Sequence, residues 1–364
     1  MKKTMLSLVA CLFTVACAMA SDEGRIRSLI FLIGDGMGLS QVSMLQFERG
    51  DTLTAFDRAQ NVALIRTGSA NNRVTDSAAA GTALASGFKT DNGTLGQDPE
   101  GNPFESSMAR AREKGMATGI VVTSYLQHAT PAGFYAHVAD RGDVSEITRQ
   151  LLDSKIDVLF GGGRKWLEKR APEGGSYLEA LARRGYVVAD SLSQLRHVDR
   201  PRVACVVAEK HLPEAPRRGD FLPRATEKAL ELLSAEASAR ETGFLLLVEG
   251  SQIDFAGHDN DAERLLAEMR DFERAVAVAM DYADRTPGTL VVVTADHETG
   301  GVTIPANKRD FTLGENGLRY LFSTGGHTAT MVPVYLYGTG ADRIAGVMDN
   351  TELAHRIMQL FDLE

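Results

Sequence analysis

The chain has 364 residues, of which 44% are hydrophobic, and its formal net charge is −9. This length allows a large single hydrophobic core. The acidic balance argues against a general nucleic-acid or anionic-membrane binder.

The N-terminus has the three parts of a secretory signal. Lys2 and Lys3 are positive, residues 5–15 form an apolar run too short to span a bilayer, and residues 18–20 read Ala-Met-Ala. We therefore predict a signal peptide over residues 1–20 that is cleaved, a catalytic domain over residues 21–364, and export to the periplasm or beyond. A lipoprotein anchored through Cys17 is the alternative, because residues 14–17 loosely resemble a lipoprotein cleavage box.

Cleavage after residue 20 leaves Cys205 as the one cysteine, so no intrachain disulfide is expected. The loss of Lys2 and Lys3 takes the net charge from −9 to about −11. We expect cations to neutralise part of this negative charge, with the acidic side chains as their ligands.

Short apolar runs alternate with helical patterns along the chain. Strands are predicted over residues 29–33, 118–123, 157–160, 203–208, 244–248, 290–294 and 332–337. Helices are predicted from a capping motif at residues 143–146, over residues 224–240 and over residues 261–282. Continuous apolar strands are usually parallel and covered on both faces. The sequence predicts an α/β fold: a single doubly wound, mostly parallel sheet with helices on both faces.

Residues 74–83 place a serine at the start of a predicted helix rich in small residues. Asp76 or Ser77 can cap this helix, so the Ser77 hydroxyl lies near unpaired backbone N–H groups and the positive end of the helix dipole. Such a position is an anion site that contains a nucleophile. A plain helix cap is the alternative for this motif alone.

Polar side chains follow several predicted strands at the edge where open α/β sheets form their sites. They are Asp35, His128, Thr130, Glu249, Asp254, His258, Asp296, His297 and His327. Histidine with carboxylate suits Zn²⁺, and oxygen ligands alone suit Mg²⁺. These residues could build two zinc sites and one magnesium site. The remaining histidines, His137, His197, His211 and His355, are interpreted as surface or core residues.

Five motifs together resemble the alkaline phosphatase family, in the family's order and approximate spacing. They are Gly-Asp-Gly-Met-Gly at 34–38, Val-Thr-Asp-Ser-Ala-Ala at 74–79, Glu-Gly with Ile-Asp at 249–254, Thr-Ala-Asp-His at 294–297 and Gly-His-Thr at 326–328. The resemblance runs from residue 28 to the C-terminal helix.

The resemblance implies a role for each site residue. Ser77 is the phosphorylated nucleophile and also contacts metal, with Asp76 beside it. Asp254, His258 and His327 hold one zinc, while Asp35, Asp296 and His297 hold the second. Asp35 also bridges to a magnesium bound by Thr130 and Glu249. Arg141 matches the arginine that clamps phosphate.

Two positions and one segment depart from parts of the family. Some members carry Asp where this chain has His128, and Lys or His where it has Phe255. We expect both side chains to lie behind the ligands and to weaken magnesium binding and phosphate retention. The segment between His297 and His327 is short, so only a loop is expected there and the family's homodimer is left open.

The function implied is hydrolysis of phosphate monoesters, with broad specificity and release of inorganic phosphate. The alternatives are a phosphodiesterase or sulfatase of the same superfamily, or an inactive protein that binds phosphate or metal. No sulfatase signature of Cys or Ser followed by x-Pro-x-Arg surrounds Ser77, and the diesterases usually have threonine as nucleophile. No nucleophile or ligand is missing, which argues against an inactive protein.

Overall fold

The computed structural model describes residues 24–199, 202–306 and 318–364. The predicted signal peptide, its cleavage site and Cys17 lie outside these residues. Within the described part of the chain, no helix combines the length and apolarity that a membrane span requires.

A ten-stranded sheet organises the fold, in the order β14-β2-β13-β8-β1-β7-β3-β4-β6-β5. Its strands are β1 Ser28–Gly34, β2 Asn61–Arg66, β3 Ala117–Tyr125, β4 Val158–Gly162, β5 Val187–Ala189, β6 Val203–Ala208, β7 Phe244–Gly250, β8 Thr289–Thr294, β13 Val332–Gly338 and β14 Gly346–Asp349. All neighbouring pairs are parallel except the two that involve β13. The predicted mostly parallel sheet is confirmed.

Twelve α-helices are present in the described residues. They are α1 Leu39–Arg49, α2 Ser77–Ser86, α3 Ser107–Glu113, α4 Ala129–Ala132, α5 Val144–Asp153, α6 Arg164–Leu167, α7 Tyr177–Arg183, α8 Ala215–Arg218, α9 Phe221–Ala239, α10 Gln252–His258, α11 Ala262–Arg285 and α12 Asn350–Leu360. Short 3₁₀ turns lie at Ala55–Arg58, Leu192–Leu195 and Ala341–Arg343.

The local sequence explains where the predicted helices begin. Asp143 caps α5 by accepting a hydrogen bond from the Glu146 N–H, and Asp261 caps α11 in the same way. One face of α11 is apolar and packs into the core, as its 3.6-residue period predicts. The predicted boundaries of α9 and α11 agree with the structure to within about one turn.

The direction of β13 differs from the sequence prediction. This strand was grouped with the parallel strands, but it pairs antiparallel with both β2 and β8. A strand that enters the sheet in reverse begins at the edge where the parallel strands end. This reversal brings His327, which precedes β13, to the same edge as the side chains that follow β1, β7 and β8.

The described residues between His297 and His327 contain short strands where the sequence predicts only a loop, and residues 307–317 of that predicted loop lie outside the described part of the chain. Four short strands lie there: β9 Glu298–Thr299, β10 Val302–Thr303, β11 Leu321–Phe322 and β12 His327–Thr328. They form two two-stranded sheets, β9 with β12 and β10 with β11. Strands of two residues are too short to show an alternating pattern, so sequence periodicity cannot predict them.

A buried ion-pair cluster fastens α8 to α11. Arg218 contacts both Glu268 and Asp271, and the three side chains are 2%, 1% and 0% exposed. Its Nη2 lies 2.7 Å from Asp271 Oδ2, and Glu268 also accepts a 2.8 Å hydrogen bond from the Ala215 N–H. Removal of Arg218 would leave Glu268 buried without a cation, and Asp271 would keep only its 2.7 Å contact with Arg274, whose side chain is 49% exposed.

We therefore predict that Arg218→Ala destabilises the protein by about 3–5 kcal/mol, because two carboxylates lose their buried cation. Arg217→Ala is the matched control, since the Arg217 side chain is 79% exposed. Urea unfolding of both variants checks the prediction. A loss in Arg218→Ala no larger than that of the control would contradict it.

Candidate metal-dependent active site

The turn after β1 places Asp35 at the centre of the site. Asp35 is fully buried, and the next residue, Gly36, has a φ of +75°. A Cβ at Gly36 would lie 2.8 Å from Thr299 Oγ1 and 2.9 Å from the Cα of Asp254. The Gly36 N–H donates a 3.1 Å hydrogen bond to Asp296 Oδ1, which turns the other Asp296 oxygen toward the site.

Ser77 is the first residue of α2, as the sequence predicts. Asp76 is the N-cap, and its Oδ1 accepts a 3.0 Å hydrogen bond from the Ala79 N–H. The Ser77 side chain is buried, and its Oγ lies 3.2 Å from His297 Nε2. The hydroxyl therefore lies at the positive end of a helix and beside a predicted metal ligand.

Arg141 reaches the same place from the loop before α5. Its Nη1 donates a 2.9 Å hydrogen bond to Asp76 Oδ2, and the side chain is 30% exposed. One carboxylate oxygen of Asp76 thus caps α2, and the other orients the Arg141 guanidinium. Burial acts to raise the pKa of Asp76, but the Ala79 N–H and Arg141 outweigh it and hold that pKa below its usual value.

Asp35, Asp296 and His297 form the first candidate metal group, and each offers one ligand atom within 4.8 Å of the others. His297 Nε2 lies 3.2 Å from Asp296 Oδ2 and 3.5 Å from Asp35 Oδ1. All three side chains are fully buried. These are the three residues that the family resemblance implies as ligands of the zinc beside Ser77.

The second group joins Asp254 and His327 to His297, which also belongs to the first group. The predicted ligand His258 lies beside this group, one turn after Asp254 on α10, and its side chain is 39% exposed. His258 Nε2 lies 3.3 Å from Asp254 Oδ2 and 3.2 Å from His327 Nε2. His258 Nδ1 lies 2.7 Å from the Gly325 carbonyl oxygen, and His327 Nδ1 lies 2.9 Å from that of Thr75. These contacts orient both rings so that Nε2 faces Asp254.

The third group differs from the predicted magnesium set. Ligand atoms of Asp35, His128 and Glu249 lie within 4.8 Å of one another, so His128 stands among the ligands rather than behind them. Thr130 Oγ1 lies 3.5 Å from Asp35 Oδ2. Glu249 Oε2 accepts hydrogen bonds from Ser251 at 2.7 Å and Ser124 at 3.3 Å. Asp35 is common to the first and third groups.

Several buried ligand atoms in these groups lack a hydrogen-bond partner within the described chain. They are Asp35 Oδ1, Asp296 Oδ2, Glu249 Oε1 and His128 Nδ1. An unpaired buried carboxylate oxygen is costly, and a bound cation removes that cost. The donor set of carboxylates, imidazoles and a hydroxyl therefore fits divalent cations.

The burial of these carboxylates close to one another also shifts their pKa values. Burial raises the pKa of Asp35 well above its usual range, and the charges of Asp296 and Asp254 add to this effect. Burial also raises the pKa of Glu249 to about 7. Four neighbouring acids cannot all ionise easily without positive charge between them.

Asp254 and His258 show the opposite pattern, because each has a partner. Burial acts to raise the pKa of Asp254, but the hydrogen bond with His258 and the nearby histidines outweigh it and lower that pKa. The same hydrogen bond raises the pKa of His258 to about 9.

Thr299 joins the first and second groups, and the sequence did not predict it. Its Oγ1 donates a 2.6 Å hydrogen bond to Asp254 Oδ1 and lies 3.2 Å from His297 Nδ1. The hydroxyl is thus placed to accept from His297 Nδ1–H, which leaves Nε2 free to face Ser77. The motif Thr-Ala-Asp-His at 294–297 ends before it, so no motif pointed to this residue.

Glu298 is a second residue that sequence reasoning missed. It is 3% exposed and accepts hydrogen bonds from Gln41 Nε2 at 2.9 Å and the Val302 N–H at 3.2 Å. Thr328, which follows His327, also donates to it. Glu298 therefore holds β9, β12 and α1 together around the site.

Phe255 and His211 belong to a ring cluster beside the third group. The Phe255 ring centroid lies 5.9 Å from that of His128 and 4.7 Å from that of His211. From the sequence alone, we interpret His211 as an ordinary surface or core residue. Burial lowers the pKa of His211 to about 4 and that of His128 to about 3, so both rings are neutral at physiological pH.

The sequence is similar to those of known enzymes. The alkaline phosphatase family model matches residues 26–315. The chain is 36% identical to alkaline phosphatase 4 of Bacillus subtilis, over 80% of this chain and 66% of that protein. It is 31% identical to alkaline phosphatase 3 of the same organism, over 93% of this chain and 89% of that protein.

A solved structure extends the similarity to the fold. The alkaline phosphatase of the Antarctic bacterium TAB5 matches with a TM-score of 0.86 and 34% identity, over 93% of this chain and 99% of that chain. A variant of that enzyme with aspartate in place of a histidine is described as having Mg bound in its M3 site. This chain belongs to the alkaline phosphatase family of enzymes.

Proposed function

We propose that this protein hydrolyses phosphate monoesters through a phosphoserine at Ser77, with broad specificity, two zinc ions and one magnesium ion. One observation carries the proposal. The Ser77 hydroxyl lies at a helix N-terminus, 3.2 Å from His297 Nε2, beside groups of buried ligands that share Asp35.

We assign the ligands as the family resemblance implies, and the closeness of most of them in the structure supports the assignment. Asp254, His258 and His327 would hold one zinc, and Asp35, Asp296 and His297 the other, with Ser77 at its edge. Asp35, Glu249 and Thr130 would hold magnesium, and His128 lies close enough to join them. The Mg described for the TAB5 variant supports the magnesium assignment. When bound, the cations stabilise negative charge on the attacking and leaving oxygens.

The residues of the chain supply the rest of the reaction. Ser77 gives up its hydroxyl proton to solvent, and its Oγ attacks phosphorus. The Oγ–P bond forms as the bond from phosphorus to the ester oxygen breaks, and the leaving alcohol takes up a proton from water. Water then cleaves the phosphoserine, and inorganic phosphate is released. The N–H groups of the first turn of α2 face the developing charge, and Arg141 presents a planar fork to two phosphoryl oxygens. Asp76 keeps that fork in position through its 2.9 Å hydrogen bond.

The alternatives within the superfamily are distinguished by substrate. Hydrolysis of p-nitrophenyl phosphate that exceeds hydrolysis of its bis-ester supports the monoesterase. The reverse order indicates a phosphodiesterase, and preference for p-nitrophenyl sulfate indicates a sulfatase. Phosphate binding without turnover of any of the three esters indicates an inactive binding protein.

Export and assembly complete the proposal. We infer that residues 1–20 are removed and that residues 21–364 act outside the cytoplasm. Mass spectrometry of the exported protein distinguishes an N-terminus at Ser21 from a lipid-modified Cys17. Sedimentation distinguishes a monomer from the homodimer that the family resemblance suggests.

Ser77→Ala should abolish the covalent route and reduce kcat by several orders of magnitude, because no other hydroxyl takes its place. Metal content should stay the same, since Asp35, Asp296 and His297 remain. Acid quenching of the wild type with labelled substrate should trap phosphoserine at Ser77. Ser107→Ala is the matched control, because Ser107 is also a buried first helical residue. A wild-type kcat in Ser77→Ala would contradict the mechanism.

Removal of metal should lower the melting temperature and the activity together. The ligands extend from Asp35 to His327, so bound cations cross-link distant parts of the chain. At a free concentration about a thousandfold above Kd, binding stabilises the native state by about 4 kcal/mol per site. Chelation should lower both the melting temperature and the activity. Addition of zinc and magnesium should then restore both. An apoprotein that melts at the same temperature would show that the metals do not stabilise the fold.

Phe255→Lys should tighten inhibition by phosphate and lower kcat where product release limits turnover. The new ammonium can donate to phosphate, worth on the order of 1–3 kcal/mol, whereas phenylalanine can neither donate nor carry charge. Phe255→Leu is the control for lost packing against His211. An unchanged Ki for phosphate with a lowered melting temperature would show that Phe255 serves packing alone.

A further inference from the structure

A row of aromatic rings lies beside the proposed active site and has no part in the mechanism above. We call Tyr125, Trp166, His211 and Phe255 the aromatic wall. The Tyr125 ring centroid lies 4.5 Å from that of Trp166 and 4.8 Å from that of His211, which is 4.7 Å from Phe255. All four side chains are partly exposed, unlike the fully buried Phe134 and Phe160 of the core.

The topology of the sheet explains why these rings meet. Tyr125 ends β3, Trp166 follows β4, His211 follows β6, and Phe255 follows β7. These strands are adjacent and parallel, in the order β7-β3-β4-β6. The wall therefore occupies the same edge as the candidate metal groups and extends away from them along the sheet.

The backbone around the wall is held by hydrogen bonds that do not involve the rings. The Leu212 N–H donates to the Thr123 carbonyl at 3.0 Å, and Gln252 Nε2 donates to the Leu212 carbonyl at 2.8 Å. The Lys165 N–H donates to the Glu209 carbonyl at 3.0 Å. The loops that carry His211 and Trp166 are thus fixed before any ligand binds, which reduces the entropy lost on binding.

The wall is continuous with the reacting centre at two points. His128, a member of the third metal group, has its ring centroid 5.1 Å from Tyr125 and 5.9 Å from Phe255. Phe255 directly follows Asp254 on α10.

We propose that the aromatic wall binds a planar aromatic ring of the substrate's leaving group. The favoured substrates would be phosphate monoesters that carry such a ring, with nucleoside monophosphates as the natural test case. Partly exposed aromatic side chains beside a phosphate site can stack on a planar ring of the substrate. A sugar without such a ring cannot stack in this way. This inference rests on the proposed function, because it names the substrate class of that site.

Adenosine 5′-monophosphate and ribose 5-phosphate test the wall kinetically, because both lose phosphate from the same primary hydroxyl. The ratio of their kcat/KM values should favour the nucleotide several-fold, as expected for aromatic stacking. Trp166→Ala and Tyr125→Ala should bring the ratio toward one. Phe88→Ala is the matched control, since Phe88 is 45% exposed and stacks on Phe104 beyond the far end of α2. A wild-type ratio near one, or one that neither wall variant changes, would overturn the proposal.

Fluorescence tests the wall without turnover, because Trp166 is the one tryptophan in the chain. In metal-loaded Ser77→Ala, adenosine 5′-monophosphate should quench Trp166 emission excited at the red edge, and ribose 5-phosphate should not. Quenching without hydrolysis of either ester by the wild type would support ring binding by the aromatic wall and refute the proposed function. Hydrolysis of both esters with no quenching would refute the wall and leave the proposed function standing.

Discussion

The crowding of buried carboxylates at one sheet edge is the constraint on which the rest of the structure depends. Asp35 lies among Asp254, Asp296 and Glu249, all at most 5% exposed. Burial and mutual repulsion raise the pKa of Asp35 and of Glu249, so ionising these acids costs free energy that bound cations can recover. The same burial has a functional benefit, because charged groups shielded from water interact strongly with a bound substrate.

A polar network behind the ligands holds this edge in shape. Thr299 contacts Asp254 and His297 through one hydroxyl, and Glu298 collects donors from α1, from the 298–302 turn and from β12. Asp254 of α10, His297 and the β12 strand that carries His327 are thus linked through neighbouring residues of β9. Because each carboxylate or hydroxyl serves two partners, small displacements of β9 would disturb both the first and the second group.

The sequence predicted the parallel strands well, because each is a strongly apolar run. The ligand roles stay predictions, although the structure brings most of the candidates together at one sheet edge. Prediction from the sequence failed where the determining contact is tertiary. The reversal of β13, the short strands between His297 and His327, and the ring cluster around His211 all depend on partners distant in the chain. His128 is an intermediate case: its position after β3 was predicted, but only packing shows its ring among the ligands of the third group.

The central claim of the proposal is that two zinc ions and one magnesium ion bind at this edge, with Asp35 shared by one zinc and the magnesium. Crystals of the metal-loaded mature protein, measured on both sides of the zinc absorption edge, test it most directly. We predict two zinc peaks, one within Asp254, His258 and His327 and one within Asp35, Asp296 and His297. A third density without zinc signal should lie at Asp35, Glu249 and Thr130. Zinc bound elsewhere, or no metal within these groups, would contradict the account.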